Sequence, residues 1–319
     1  MPTAEQIKAL IKTHYECNTE KFATVTLQIA AHEAKLGHIN LADDIKKIID
    51  KSRFEKQNIS PINQDFQGLI IEAYPNEKLS DLVLSDKIIE RIKRIEKEFV
   101  QKDKLRRYNL SNRRKLLFSG PAGTGKTMTA FVIAHELNLP LNIILMDKVV
   151  TKFMGETSVK LRQVFDIINK YNGVYLFDEF DAIGAERAKD NDVGEMRRVL
   201  NSFLQFIEKD NSNSIIIAAT NNIKLLDQAL FRRFDDVLHY QLPTNDEKIK
   251  LIKNKLGSFL GNYDITCIAD IIGELSHAEI TKACCDSVKE AILSDKQTVS
   301  KDLLMKMIEE KKSVYTKTR

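Results

Sequence analysis

Tryptophan is absent from this 319-residue chain, and there are only four cysteines, six prolines and twelve glycines. The missing tryptophan excludes nothing by itself. So few glycines and prolines exclude a collagen-like repeat, and four cysteines cannot staple a scaffold of this length. No apolar run approaches the ~18 residues of a membrane-spanning helix. The opening, MPTAEQIKALIKTHYECNTE, lacks the apolar core and small-residue cleavage site of a secretory leader. Neither sign of charge dominates, since 49 Lys and Arg against 45 Asp and Glu leave a formal +4. That balance neither demands nor excludes nucleic acid. Cys17, Cys267, Cys284 and Cys285 show no C-x-x-C spacing, and the six histidines show no H-x-x-x-H spacing. The cysteines are expected as reduced, buried thiols of a cytoplasmic protein, with no metal site among them.

What is present is an ordinary globular mixture, 43% hydrophobic and 29% charged, long enough for two or three domains. Residues 1–54 carry three amphipathic stripes. The first, Ile7, Leu10, Ile11 and Tyr15, follows a Thr3-x-x-Gln6 capping box. The second runs Phe22, Val25, Ile29 and Leu36 and stops at Gly37. The third, Leu41, Ile45, Ile48 and Ile49, is capped by Asn40. They predict a small three-helix bundle. Residues 55–80, punctuated by Pro61, Gly68 and Pro75, predict a linker with at most a short docked segment at Leu69, Ile70 and Ile71. Residues 85–107 predict a basic helix, either a solvated face or a contact surface for acidic partners or nucleic acid.

From residue 116 onward, short apolar runs alternate with helical stretches: Leu116–Ser119, Leu141–Met146, Val174–Asp178, Ser214–Ala219 and Val237–Tyr240. Runs so continuous predict strands buried on both faces of a parallel sheet. After Pro243 the pattern is purely helical, with capping boxes at Thr244-x-x-Glu247 and Ser276-x-x-Glu279. The expected fold is therefore α/β: an N-terminal helical bundle (1–54), a linker (55–80), a three-layer αβα domain (81–243) and a C-terminal helical lid (244–319).

Three motifs carry chemistry. Gly120, Pro121, Ala122, Gly123, Thr124, Gly125, Lys126 and Thr127 match G-x-x-x-x-G-K-[ST] between a predicted strand and helix, the context that identifies a phosphate-binding P-loop NTPase. The backbone N–H groups and the helix N-terminus would cradle phosphates, Lys126 would reach the β- and γ-phosphates, and Thr127 would hold Mg²⁺. The second motif, Val174-Tyr-Leu-Phe-Asp178-Glu179, ends an apolar strand in two acids. Asp178 would organise Mg²⁺ through water, and Glu179 would activate the attacking water. In the third, Asn221 closes the strand IIIAAT within reach of a γ-phosphate if its strand neighbours that of the acids, and Arg232 and Arg233 follow.

In this order and spacing, the P-loop, the Asp-Glu box, Ala-Thr-Asn and Leu226-Asp-x-Ala-Leu-x-Arg-Arg-Phe-Asp235 resemble the AAA family of ATPases over about residues 80–300. The Arg-Arg-Phe segment is similar to that of the katanin and spastin branch. The resemblance implies a homo-oligomeric ring, usually hexameric, with ATP between subunits and Arg232 and Arg233 as fingers reaching the neighbour's γ-phosphate. Lys152, Phe153, Met154 and Gly155 resemble the family's central-pore loop, which grips a threaded polypeptide, and the charged 186–195 is either a second such loop or a solvated one. Ser276-His277-Ala278-Glu279 stands where relatives carry a Gly-Ala pair near adenine. The glycine is replaced, and no sensor arginine is evident.

The function implied is an ATP-driven protein remodeller whose N-terminal bundle, similar in size to microtubule-interacting-and-trafficking modules, selects a substrate or adaptor, with a separate protease as a further possible partner. Two alternatives stay open. A nucleic-acid motor or loader is favoured by the basic stretch from Arg91 to Lys115. A nucleotide-regulated scaffold without turnover is disfavoured by the intact Lys126, Asp178, Glu179, Asn221 and arginine pair.

Overall fold

A computed structural model describes residues 4–15, 19–35, 38, 42–45, 68–150, 155–181, 193–222 and 231–316. The chain divides into two compact units, 1–61 and 62–319. In the first, α1 (Ala4–Tyr15) and α2 (Thr19–Lys35) pack on each other, and a helical turn follows at 42–45. Thr3 and most of the third stripe lie outside the described residues.

The second unit is built on a six-stranded sheet. Its strands are β1 (Ile70–Ala73), β2 (Lys115–Ser119), β3 (Leu141–Ile144), β4 (Val174–Phe177), β5 (Ile215–Thr220) and β6 (Asp236–His239). They lie in the order β1-β3-β4-β5-β2-β6, parallel except for β1. The five strands expected from residue 116 onward appear with ends within two residues of the expected ones.

Within the stretch expected as a linker, the segment around Leu69, Ile70 and Ile71 docks as β1, which pairs antiparallel with β3, Ile70 opposite Ile144 and Ala73 opposite Leu141. Four residues at a sheet edge bury too little for a periodic signal. Only Ile70 is buried, while Ile71 is half exposed.

Alternation along the strands divides the apolar side chains between two faces. Leu117, Tyr175, Phe177, Ile216 and Ala218 pack against α7 (Glu156–Lys170) and α8 (Val193–Lys209), where Phe165, Phe177, Phe180 and Phe203 form an aromatic cluster. Leu116, Phe118, Leu176, Ile217 and Leu238 pack against α3 (Asp86–Val100) and α5 (Lys126–Glu136) on the other face. Short helices α4 (Lys102–Arg106) and α6 (Met146–Val149) lie between. The basic segment is thus α3 and α4, broken at Gln101.

The lid comprises α9 (Asn245–Leu256), α10 (Thr266–Ile272), α11 (His277–Leu293) and α12 (Lys301–Thr316) around a core of its own. Both expected capping boxes are formed, Thr244 with Glu247 and Ser276 with Glu279. An extended strap, Leu82–Leu84, joins the lid to the sheet. Leu82 and Leu84 enter the sheet core, and Val83 between them enters the lid core. Farther back, His135 bonds the Pro75 carbonyl (3.1 Å) and Glu136 accepts from the Leu79 N–H (3.0 Å), tying the segment before the strap to the end of α5.

Candidate functional site

The P-loop runs from the end of β2 into α5 and curls because two glycines allow close approach. At Gly120 (φ 150°) a Cβ would stand 2.2 Å from the Tyr240 carbonyl oxygen. At Gly123 (φ 72°) it would stand 2.6 Å from the Ser276 hydroxyl of the lid. Thr124 closes the turn by donating to the Pro121 carbonyl (2.8 Å), and the Ala278 N–H of the lid donates to the Gly123 carbonyl (3.0 Å). The loop is clamped between sheet and lid.

The strand order decides what meets the loop. Because β5 lies between β2 and β4, Asn221 at its end faces Lys126 on one side and the acids on the other. Lys126 Nζ donates to the carbonyls of Gly120 (2.7 Å) and Pro121 (2.8 Å) and to Asn221 Oδ1 (2.8 Å). Burial lowers its pKa, while Asp178 and Asp181 pull the other way. Thr127 Oγ1 donates to Asp178 Oδ2 (2.8 Å), and Asp178 Oδ1 accepts from the Glu179 N–H (2.9 Å).

Glu179 is exposed and holds a left-handed backbone (φ 50°). Among the described residues, the other non-glycine residues with positive φ are asparagines and an aspartate, which tolerate it. A glutamate there carries strain of the kind found at functional sites. Its turn is fastened to β5, since Phe180 N–H donates to the Ala219 carbonyl (2.8 Å). Asp181 accepts from the Asn221 N–H (3.3 Å). It was not among the expected site residues, although the Asp178-Glu-Phe-Asp181 spacing carries it.

These groups border a cavity of about 620 Å³, within the usual range for small-molecule sites. Gly123–Met128, Asp178, Glu179 and Asn221 line one part. The strap, Leu251, His277 and Ala278 line another. The cradle suits a triphosphate: open backbone donors, one buried lysine, and no space for a Cβ at Gly120 or Gly123. A hydroxyl beside a carboxylate, both hard oxygen donors, suits Mg²⁺ shared with phosphate oxygens. Among the described residues no cluster of three or more His, Cys, Asp or Glu forms a separate metal site.

Arg232 and Arg233 do not line this cavity. Arg232 is exposed, and Arg233 Nε lies 3.6 Å from the Glu208 carboxylate. Lys152, Phe153 and Met154 lie outside the described residues, as does most of 186–195. Gly155 stands exposed at the start of α7.

Much of the basic segment is engaged internally. Arg91 pairs with Asp236, Arg113 with Glu98 and Arg114 with Asp210, while Arg106 bonds Asn213. The thiol expectation is corrected as well. Cys284 faces the lid core and its pKa is pushed up to about 12 by burial, but Cys267 and Cys285 are exposed, and Cys285 borders the cavity. Neighbours on a helix point about 100° apart, so one cysteine of the pair turns outward. Among the described residues, no helix is long and apolar enough to cross a membrane.

The profile of the ATPase family associated with various cellular activities (AAA) matches residues 116–242. An uncharacterized AAA family ATPase of Sinorhizobium fredii is 31% identical over 306 residues, covering 94% of this chain and 92% of that protein. The chain belongs to the AAA family of ATPases. This AAA ATPase is also similar to the proteasome-activating nucleotidase of Methanoregula boonei, 30% identical over 203 residues, 61% of this chain and 47% of that one. That of Methanothermobacter thermautotrophicus is 28% identical over 264 residues, 79% and 64% respectively. The chain therefore spans roughly half to two thirds of these nucleotidases.

Proposed function

We propose that this chain hydrolyses ATP at the interfaces of a homo-oligomeric ring, a hexamer as its family resemblance implies, and uses the cycle to remodel or unfold proteins drawn through a central pore.

 The observation that carries the ATPase part is the convergence on one cavity of Lys126 with Asn221 and of Thr127 with Asp178, at 2.8 Å each. In this reading the P-loop N–H groups and Lys126 hold the β- and γ-phosphates. Thr127 and Asp178 hold Mg²⁺, which when bound neutralises charge on the phosphate oxygens. A water oxygen attacks the γ-phosphorus as the bond to the β-bridging oxygen breaks. Glu179 takes the water's proton, and Asn221 orients the water or a γ-oxygen. Arg232 and Arg233 of one subunit stabilise the charge developing in the next, a contribution of about 10³–10⁵ in rate for such fingers.

The protein substrate is supported by the nucleotidase relatives and by Lys152-Phe153-Met154-Gly155, whose aromatic would grip an extended chain. The 1–61 unit would choose the substrate or adaptor. With several of the arginines between Arg91 and Arg114 already paired within the chain, less of that surface is left for nucleic acid.

The test is the ATPase rate per subunit against protein concentration, for wild type and Glu179→Gln. A rate that rises and saturates, with turnover lost in the variant while ATP still binds, is the expected result. Turnover by a particle whose mass stays that of a monomer at every concentration would overturn the ring.

A further inference from the structure

His277 is the first residue of α11, directly after the Ser276 cap, and is 8% exposed. Both of its ring nitrogens are buried, and neither makes a hydrogen bond of ordinary geometry within the protein. A buried polar group without a partner is costly and calls for an explanation.

Its place is a seam. His277 borders the large cavity together with the strap, and also a second cavity of about 60 Å³ shared with Leu84, Ser85, His239, Gln241, Thr244 and Glu247. It thus stands where lid, strap and the end of β6 meet. The next residue, Ala278, donates its N–H to the Gly123 carbonyl of the P-loop. A shift at His277 therefore reaches the phosphate cradle through one peptide unit.

Burial favours the neutral ring, against the Glu247 carboxylate and the Val83 backbone, which favour the proton. The charged or titratable groups that share a cavity with His277 are Glu247 and Lys255 of α9, Lys282, Cys285, Asp286 and Lys289 of α11, His239 of β6, Asp81 before the strap, and Lys126, Asp178 and Glu179 of the phosphate site, with Glu279 two residues along α11. Glu247 is committed to the Thr244 N–H and Glu279 to the Ser276 N–H. Glu247 attracts a cationic ring, but neither ring nitrogen bonds to a carboxylate, and burial of the charge outweighs that attraction.

We propose that His277 is a positioning residue for the nucleotide: neutral, it seats the lid on the strap and P-loop; protonated, it loosens that seat and weakens nucleotide binding. This rests on the reading that the cavity takes ATP. The sign follows from linkage. The closed lid demands the neutral ring, whereas a loosened lid lets it titrate near its ordinary value of 6.5. Affinity is therefore full above that value and is lost as pH falls through it. If closure excludes the proton completely, the loss at pH 5.5 is about tenfold.

The experiment is equilibrium binding of ATP to the full chain from pH 7.5 to 5.5, for wild type, His277→Leu and His277→Gln, each checked by thermal melting. The ATP phosphates are common to all three experiments, so a difference between the curves reports on position 277. The expected result is a steeper acid loss in wild type, by up to about tenfold, that is absent from whichever variants fold. Parallel curves would overturn the proposal while leaving ATP binding intact. Wild type that binds no ATP at pH 7.5 would overturn the underlying nucleotide reading along with it.

Discussion

Lys126 uses all three ammonium hydrogens on protein oxygens, two from its own loop and one from Asn221. A phosphate reaching that lysine must exchange at least one of them, and the Asn221 amide is the acceptor that a side-chain change can remove. The two residues should therefore fail differently. Lys126→Ala should lose ATP binding, because the cradle loses its only buried cation among the described lining residues. Asn221→Ala should still bind ATP and turn it over about 10²-fold more slowly, the usual scale for removing one group that stabilises or orients at a transition state. Binding by calorimetry alongside single-turnover hydrolysis separates the two. Equal loss of binding in both variants would mean that Asn221 acts only by propping Lys126. The contrast also marks what was readable from sequence. Lys126, Thr127 and Asp178 sit in local patterns whose spacing implies their chemistry. Asp181 lies in the same local run, but its hold on the Asn221 backbone depends on β5 standing beside β4, which no local pattern states.

At the scale of elements, α3 and α5 carry an unusual carboxyl. Glu96 on α3 has one oxygen buried without a partner, and burial together with the Glu136 carboxylate raises its pKa to about 7. The folded protein therefore holds more protons than the unfolded chain between about 4.5 and 7, so stability falls as pH rises through that window. Glu96→Gln keeps the shape and removes the titration. It should raise the melting temperature more at pH 8 than at pH 5, with the sharper gain at pH 8 read by calorimetry. The same gain at both values would assign the effect to packing. Glu136 also bonds the Leu79 N–H, so this pair sits where the segment leading to the strap is anchored. That segment was harder to read than the five inner strands. Runs such as Ile215–Thr220, buried on both faces, announce themselves, whereas β1 and the strap are short, alternate between cores and are ordered by what lies beside them.

At the scale of the whole molecule, each proposed catalytic group of one chain except the arginine pair borders one cavity. Arg233 instead lies 3.6 Å from Glu208, a carboxylate 64% exposed. Exposed ion pairs of this kind contribute about 0–1 kcal/mol, little beside what a phosphate anion on a neighbouring subunit would offer a guanidinium. If the finger acts across an interface, a subunit without Arg233 retains a sound phosphate site, and a subunit without Lys126 retains a sound finger. Each variant alone should be nearly inactive. Mixed in equal amounts, they should recover about a quarter of the wild-type rate, because random assembly pairs a sound site with a sound finger at about one interface in four. The readout is the ATPase rate of the mixture, with mass measurement confirming that mixed assemblies form. Mixed assemblies with no recovered turnover would rule out Arg233 as a finger acting across the interface. Recovery would establish a site completed by the neighbour, and with it assembly as a condition of hydrolysis in this chain.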